Sequence, residues 1–370
     1  MGTTVEGTVA AGYEGVRDAF QNNFDDGDIG ASCAVTVDGE LVVDLWGGHR
    51  SLDRSQPWEA DTIGNVWSTT KMMAALCVLM LHDRGELSVD APMATYWPEF
   101  AANGKEGVLV RHVLGHTAGL PQYDEHVDEI DIFDWQACCR RLADQAPRWT
   151  PGDGSGYHAE TQGWLLGELV RRVDGRTLGT FFADEVATPR NLDFHIGLAD
   201  EHHHRVAEIG TDQAVPLVPP HAAMAAEEIS TGRRNFGLVN TPSYRRAEFP
   251  ASNGHGNARA VALAMAPLAN GGDGLLSPAT IERCFEVQAD GVDRMLGRPM
   301  KFGLGYGLNS ADSPLGVNDR TLWWAGWGGS MCVVDLENNL TVAYTMNRMM
   351  GEGDFRAAMV IFAAHAARAA

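Results

Sequence analysis

The sequence predicts an α+β fold: an antiparallel sheet built from both ends of the chain, flanked by helices and interrupted by an inserted, mainly helical domain. Two strand-rich blocks, one near each end, and a long strand-poor stretch between them carry that expectation. Tyr13, Val16, Phe20 and Phe24 recur at helical spacing and predict an opening amphipathic helix. SCAVTV and ELVVDLWGG then flank Asp38-Gly39, a pair suited to a type I′ turn, and read as a hairpin. From about Glu86 to Phe249 the texture changes to helical patches, polar loops and Pro/Gly punctuation. Strands return at Thr321 to Trp324, Met331 to Leu336 and Leu340 to Met346, with Glu337-Asn338-Asn339 turning the last two. FRAAMVIFAAHAARAA reads as a closing helix. The expected division is therefore an α/β domain from residues 1–85 and 255–370, with residues 86–254 as the helical insertion.

Composition narrows the function classes. The 370 residues are 45% apolar and 21% charged, as in an ordinary globular protein, and carry a net charge of −21. So acidic a chain does not neutralise phosphates, which argues against a nucleic-acid partner. The longest apolar run, Met72 to Leu81, is too short for membrane insertion. The N-terminal residues show no basic stretch followed by an apolar block, so no secretory signal is expected. Six cysteines without regular spacing read as buried thiols, and a cytoplasmic location fits them.

The segment IGNVWSTTKMMAALCVLMLHDRGEL concentrates the chemistry. Lys71 is one of only three lysines, with Lys105 and Lys301, in a chain that otherwise uses arginine. A helix starting near Ser68 puts Ser68 and Lys71 on one face, a turn apart, with Ser68 at the positive end of the helix dipole. A serine hydroxyl needs a base within hydrogen-bond reach to act as a nucleophile, and lysine can serve once burial and a nearby dipole favour its neutral form. SxxK recurs by chance, however, and four residues alone are better explained by a capping serine beside a solvated lysine.

Motifs further along, in order, resemble the class C β-lactamase-like and penicillin-binding-protein-like serine hydrolases, and most closely the family VIII carboxylesterases. VLVRHVLGHTAGLPQY (Val108 to Tyr123) is similar to that group's RHLLTHTSGLP-type segment. WTPGDGSGYHAETQGWLLGELVRRVDGRTLGTFFADEV (Trp149 to Val186) is similar to its PG…Y-x-N stretch, SNGHGNARAVALAMAPLANGG to its GGL-x-STA…LLNGG stretch, and WWAGWGGSMCVVDLENNLTVAYTMN (Trp323 to Asn347) to its closing strands. The resemblance spans most of the chain and implies the β-lactamase/transpeptidase-like fold. It implies Ser68 as nucleophile, Lys71 as partner base and Tyr157 as the proton relay to the leaving group. It places Trp324-Ala325-Gly326 in the third motif and the backbone N–H groups of Ser68 and Trp327 in the oxyanion hole. Substrate contacts would then come from Trp324, Ala325, Gly326 and Trp327. Two departures point away from β-lactams. Ala159 stands where the β-lactamase pattern has asparagine, and Trp324 stands where it has a lysine that would hold a substrate carboxylate.

The expected activity is a carboxylesterase acting on small-molecule esters through an acyl-enzyme, with no metal and no organic cofactor required. β-Lactamase, D-amino-acid peptidase or amide hydrolase activity would use the same residues, and a non-catalytic scaffold is the alternative of another class. Other constellations carry less. His112 and His116 stand at i and i+4, but Val113 replaces the glutamate of HExxH. Glu201-His202-His203-His204-Arg205 reads as a solvated loop, and GLGYGL (Gly303 to Leu308) as a glycine-rich strand edge without the spacing of a dinucleotide fingerprint. His255 reads as structural or, at a cleft loop, as a substrate contact. No G-x-S-x-G elbow is present.

Overall fold

In the computed structural model, which describes residues 3–124, 132–211, 236–351 and 354–370, a short strand β1 (Val5–Val9) precedes the expected helix α1 (Glu14–Asp25), which buries Val16, Phe20 and Phe24. The expected hairpin follows as β2 (Gly30–Val37) and β3 (Glu40–Gly48). Asp38 and Gly39 have φ of 51° and 84°, the pair of positive angles that a two-residue type I′ turn demands. Next come β4 (Gly64–Asn65), α2 (Thr70–Asp83), α3 (Trp135–Asp144), α4 (Thr161–Val173), β5 (Phe194–His195), β6 (His255–Gly256) and α5 (Ala258–Ala269). Strands β7 (Ala289–Val292), β8 (Pro299–Phe302), β9 (Gly307–Leu308), β10 (Thr321–Ala325), β11 (Met331–Asp335) and β12 (Leu340–Met346) lead to the closing helix α6 (Arg356–Ala369).

The main sheet runs β1-β3-β2-β12-β11-β10-β9-β8-β7, and each neighbouring pair is antiparallel. At its centre β2 pairs with β12, so opposite ends of the chain meet in register from Ala31↔Met346 to Val37↔Leu340. Every residue of both strands is buried, which requires cover on both faces. Adjacent residues of β12 identify the two covers, because neighbouring side chains point to opposite faces. The Tyr344 ring meets Phe20 of α1, whereas the Thr345 hydroxyl bonds Ser32, whose Oγ accepts the first N–H of α5. Helix α1 and its neighbour α6 therefore cover one face, and α5 the other.

Helix α2 is buried from Thr70 to Leu81 because α4, the Leu178–Phe182 helical turn and α5 all pack around it. A second, three-stranded sheet, β4-β6-β5, pairs Asn65 with His255 and so ties the approach to Ser68 to the segment ending at residue 256. The strands β1 and β4 to β8 have no counterpart among the sequence expectations, whereas β9 falls in the GLGYGL strand edge. β1 (VEGTV) is a half-exposed edge, and β4 to β8 are two to four residues long, too short for an apolar alternation to register. No helix among the described residues is long and apolar enough to cross a membrane.

Candidate active site

Ser68 sits in a 3-10 turn, Trp67–Thr69, that runs straight into α2. Trp67 has φ of 48°, a conformation that a bulky side chain adopts at a cost of about 1–3 kcal/mol and holds only where its surroundings over-determine it. They do so here. Asn65 Oδ1 accepts the Trp67 N–H at 2.6 Å, Thr70 Oγ1 donates to the Trp67 carbonyl at 2.5 Å, and the Gly254 N–H reaches the same Thr70 oxygen at 2.8 Å. Ser330 donates to the Val66 carbonyl at 2.7 Å and lies 3.0 Å from the Thr69 hydroxyl. The result holds Ser68 partly exposed at the end of a buried helix.

Two side chains converge on the Ser68 hydroxyl. Lys71, 2% exposed, brings Nζ to 3.1 Å from Oγ, and the Tyr157 hydroxyl donates to Oγ at 2.7 Å. Nζ also lies 5.0 Å from the Tyr157 ring centroid. Two of the lysine's N–H bonds go to main-chain carbonyls, Ala159 at 2.7 Å and Ala251 at 2.9 Å. These carbonyls fix the direction of the amine, which also faces the serine. Sequence reasoning missed both, since a carbonyl acceptor leaves no side-chain signature. At Ala159 the side chain that the β-lactamase pattern would supply is absent, yet the position still touches Lys71 through its backbone.

Tyr157 belongs to no helix or strand, and aromatic neighbours hold its ring. His116 meets it edge-on at 5.1 Å, and Trp324 lies 5.9 Å away and stacks on His116 at 5.2 Å. His116 is wholly buried, and that burial, followed by the charges of His158 and Lys71, holds its imidazole well below the ordinary range. Burial likewise pushes His158 down to about 3, with Lys71 adding to the effect. His158 donates from Nδ1 to the Gly156 carbonyl at 2.6 Å and accepts the Leu120 N–H at Nε2, 3.1 Å away. Both imidazoles are therefore neutral supports at neutral pH. Trp324, expected among the substrate contacts, is 4% exposed and packs against His116 and Phe302, so its ring backs the tyrosine.

Trp327 is the more open of the two tryptophans and meets Trp67 edge-on at 5.0 Å. Its loop is closed on itself by the Gly326 N–H, which bonds the Ser330 carbonyl at 2.8 Å, and is stitched to the Ser68 turn through the Ser330 hydroxyl. A Cβ at Gly326 would lie 2.1 Å from Ser330 Oγ and 2.3 Å from the Val66 carbonyl, so the two loops approach this closely only because position 326 has no side chain.

Comparison with known proteins agrees with this arrangement. The Beta-lactamase family profile matches residues 16–366. The chain belongs to the β-lactamase family. It is 34% identical over 338 residues to the Esterase/beta-lactamase LipL of Mycobacterium tuberculosis, a match that covers 87% of this chain and 77% of that protein. The crystal structure of a family VIII carboxylesterase superposes with a TM-score of 0.92 at 38% identity, covering 98% of this chain and all of that one. A penicillin-binding protein homologue from Caulobacter crescentus superposes with a TM-score of 0.91 at 37% identity over 98% of this chain. The β-lactamase/transpeptidase-like fold expected from the motifs is thus the fold observed.

Among β-lactamase-family features, the remaining expectations concern histidines and thiols. His112 and His116 do not converge: Nδ1 of His112 accepts the Leu109 N–H, and Nδ1 of His116 accepts the His158 N–H. In the 3-10 turn Asp200–Arg205, His203 and His204 turn to the local carbonyls of Leu198 and Glu201, and His202 to Arg205. Among the described residues no group of three or more His, Cys, Asp or Glu is placed to hold a metal ion. His255 is the middle strand residue of the small sheet, 1% exposed, and burial with the Arg245 charge pushes it down to about 3, which suits a structural residue and not a surface contact. All six cysteines are buried thiols.

Proposed function

We propose that this β-lactamase-family chain is a carboxylesterase that cleaves compact esters through an acyl-enzyme on Ser68. One observation carries the reading: a partly exposed serine hydroxyl within hydrogen-bond distance of both a buried lysine amine and a tyrosine hydroxyl. Ser68 Oγ attacks the ester carbonyl while its proton passes to the Lys71/Tyr157 pair. The oxyanion is held by the N–H groups of Ser68 and Trp327, the former close to the positive end of α2. Tyr157 then hands a proton to the departing alcohol as the C–O bond breaks. Water attacks the acyl-enzyme, gives its proton to the same pair, and Ser68 leaves with that proton as the acid is released. Ala325, Gly326 and Trp327 form the substrate side of the site with Trp324 behind Tyr157, and residues 86–254 form an inserted helical domain over a sheet domain made of 1–85 and 255–370. The buried thiols accord with a cytoplasmic setting.

The identity of the bond is supported by the chemistry of two positions. Trp324 offers no charge to a β-lactam or peptide carboxylate, and Ala159 offers no side-chain amide. The names of the relatives, an esterase/β-lactamase and a family VIII carboxylesterase, point the same way. Purified protein should turn over p-nitrophenyl butyrate, Ser68→Ala should fall to the background rate, and nitrocefin and D-Ala-D-Ala peptides should be turned over poorly by comparison. Equal rates for the native protein and Ser68→Ala would refute the esterase reading, and faster nitrocefin turnover would favour the β-lactamase alternative.

A further inference from the structure

We infer that Asp293 is the positioning residue that sets the Tyr157 hydroxyl on Ser68, an inference that rests on the esterase reading. Tyr157 lies in irregular backbone, so no helix or strand ladder orients it, and side chains and carbonyls from elsewhere do that work. Three consecutive N–H groups are taken by tertiary partners. Gly156 donates to the His116 carbonyl at 3.1 Å and His158 to His116 Nδ1 at 3.1 Å. Between them, the N–H of Tyr157 itself goes to Asp293 Oδ1 at 3.0 Å.

Asp293 is built for that contact. It is 0% exposed, and the same Oδ1 accepts the N–H groups of Met295 and Leu296, both at 2.9 Å. The turn it heads closes on itself, with Asp293 N–H to the Arg298 carbonyl at 3.0 Å and Gly297 N–H to the Asp293 carbonyl at 2.8 Å. A second tie joins this turn to the tyrosine segment, from Arg294 N–H to the Ser155 carbonyl at 2.9 Å. One oxygen thus locks the turn and extends it to Tyr157. Its partner oxygen, Oδ2, is buried without a hydrogen-bond partner, and Asp293 makes no ion pair among the described residues. Burying a carboxyl in this state is unfavourable, and asparagine or serine could head a similar turn without it. Strong acceptance from three N–H groups at once is what the acid adds. Loss of that anchor frees the tyrosine backbone, and a displacement of about 1 Å at a reacting group can cost about 10²-fold in rate.

A double-mutant cycle on p-nitrophenyl butyrate separates positioning from general stability. Asp293→Ala should lower kcat about 10²-fold and change KM less than about threefold. Asp293→Asn keeps one acceptor oxygen but places an amide where Oδ2 is buried, so its loss should be intermediate, about three- to tenfold. In a Tyr157→Phe background, with no hydroxyl left to position, each Asp293 variant should cost less than about twofold. The rate of fluorophosphonate labelling at Ser68 should follow the same pattern and reads the cycle without any ester. Undiminished losses in the Tyr157→Phe background overturn the inference, as does an Asp293→Asn protein as active as the native one. The Asn arm carries the test should Asp293→Ala not fold. Native protein that labels at Ser68 but hydrolyses no ester would sink the esterase reading and leave the labelling cycle to decide on Asp293. Absence of labelling would overturn both.

Discussion

The two halves of the site are assembled by different means. Ser68 and Lys71 come from one short stretch, and helical periodicity alone puts them a turn apart, with surrounding threonines and Ser330 only holding the turn in place. Tyr157 comes from a segment without regular structure and depends on residues more than forty positions before it and more than a hundred after it, His116 and Asp293. A local motif can be moved as a unit. A loop residue is only as well placed as the remote groups that hold it, so the tyrosine half should be the more easily disturbed.

The largest expected effect sharpens the local half. Lys71→Ala should lower kcat about 10⁴-fold, at the upper end of what general acid–base groups contribute, with little change in melting temperature because the helix is packed by its apolar neighbours. A loss below about tenfold would mean that the tyrosine alone activates the serine. Next comes Gly326→Ala, at the seam between Ser68 and Trp327. Its Cβ would sit 2.1 Å from Ser330 Oγ, so the loops must separate, and kcat should fall about 10²-fold, as when an oxyanion donor is lost. Steady-state kinetics with native-like circular dichroism checks both variants.

The smallest effect concerns acid. His158 titrates near 3 in the folded chain because it is buried, against about 6.5 when unfolded. The unfolded chain therefore binds the extra proton over that interval, and stability falls as pH drops from about 6.5 towards 3, by about 1.4 kcal/mol per pH unit at the steepest. Urea unfolding at pH 7 and 5.5 should show this, and His158→Gln should lose about 1 kcal/mol less than the native protein between those pH values. The nucleophile turn is held by threonine and serine hydroxyls, which do not titrate there. An equal acid sensitivity in His158→Gln would remove the asymmetry between the halves.

How much of this was legible follows from the range of each interaction. The hairpin at Asp38-Gly39, helices α1 and α6, and strands β10 to β12 announce themselves by turn chemistry and periodicity, and SxxK by spacing. Tyr157 could be reached only through resemblance, since nothing in GSGYHAE distinguishes a relay tyrosine from any other. The carbonyls of Ala159 and Ala251, and the carboxyl of Asp293, had no signal at all. Main-chain acceptors look alike in every sequence, and an aspartate heading a turn is ordinary until the turn is seen to touch Tyr157. The stacking of Trp324 on His116 had no signal either, because a strand residue declares its alternation but not which face meets the cleft.

Because β2 and β12 are neighbours in the sheet yet stand near opposite ends of the chain, the order of synthesis constrains the order of folding. A nascent chain exposes the strand β2 and the apolar run Met72 to Leu81 of helix α2 long before β12 exists to cover the first or the full domain to cover the second. Closing so distant a contact is slow, and during that interval the uncovered strand is open to pairing with other chains. Ribosome-bound chains that stop short of β12 should therefore depend on chaperones, whereas release of the completed strand lets the sheet seal.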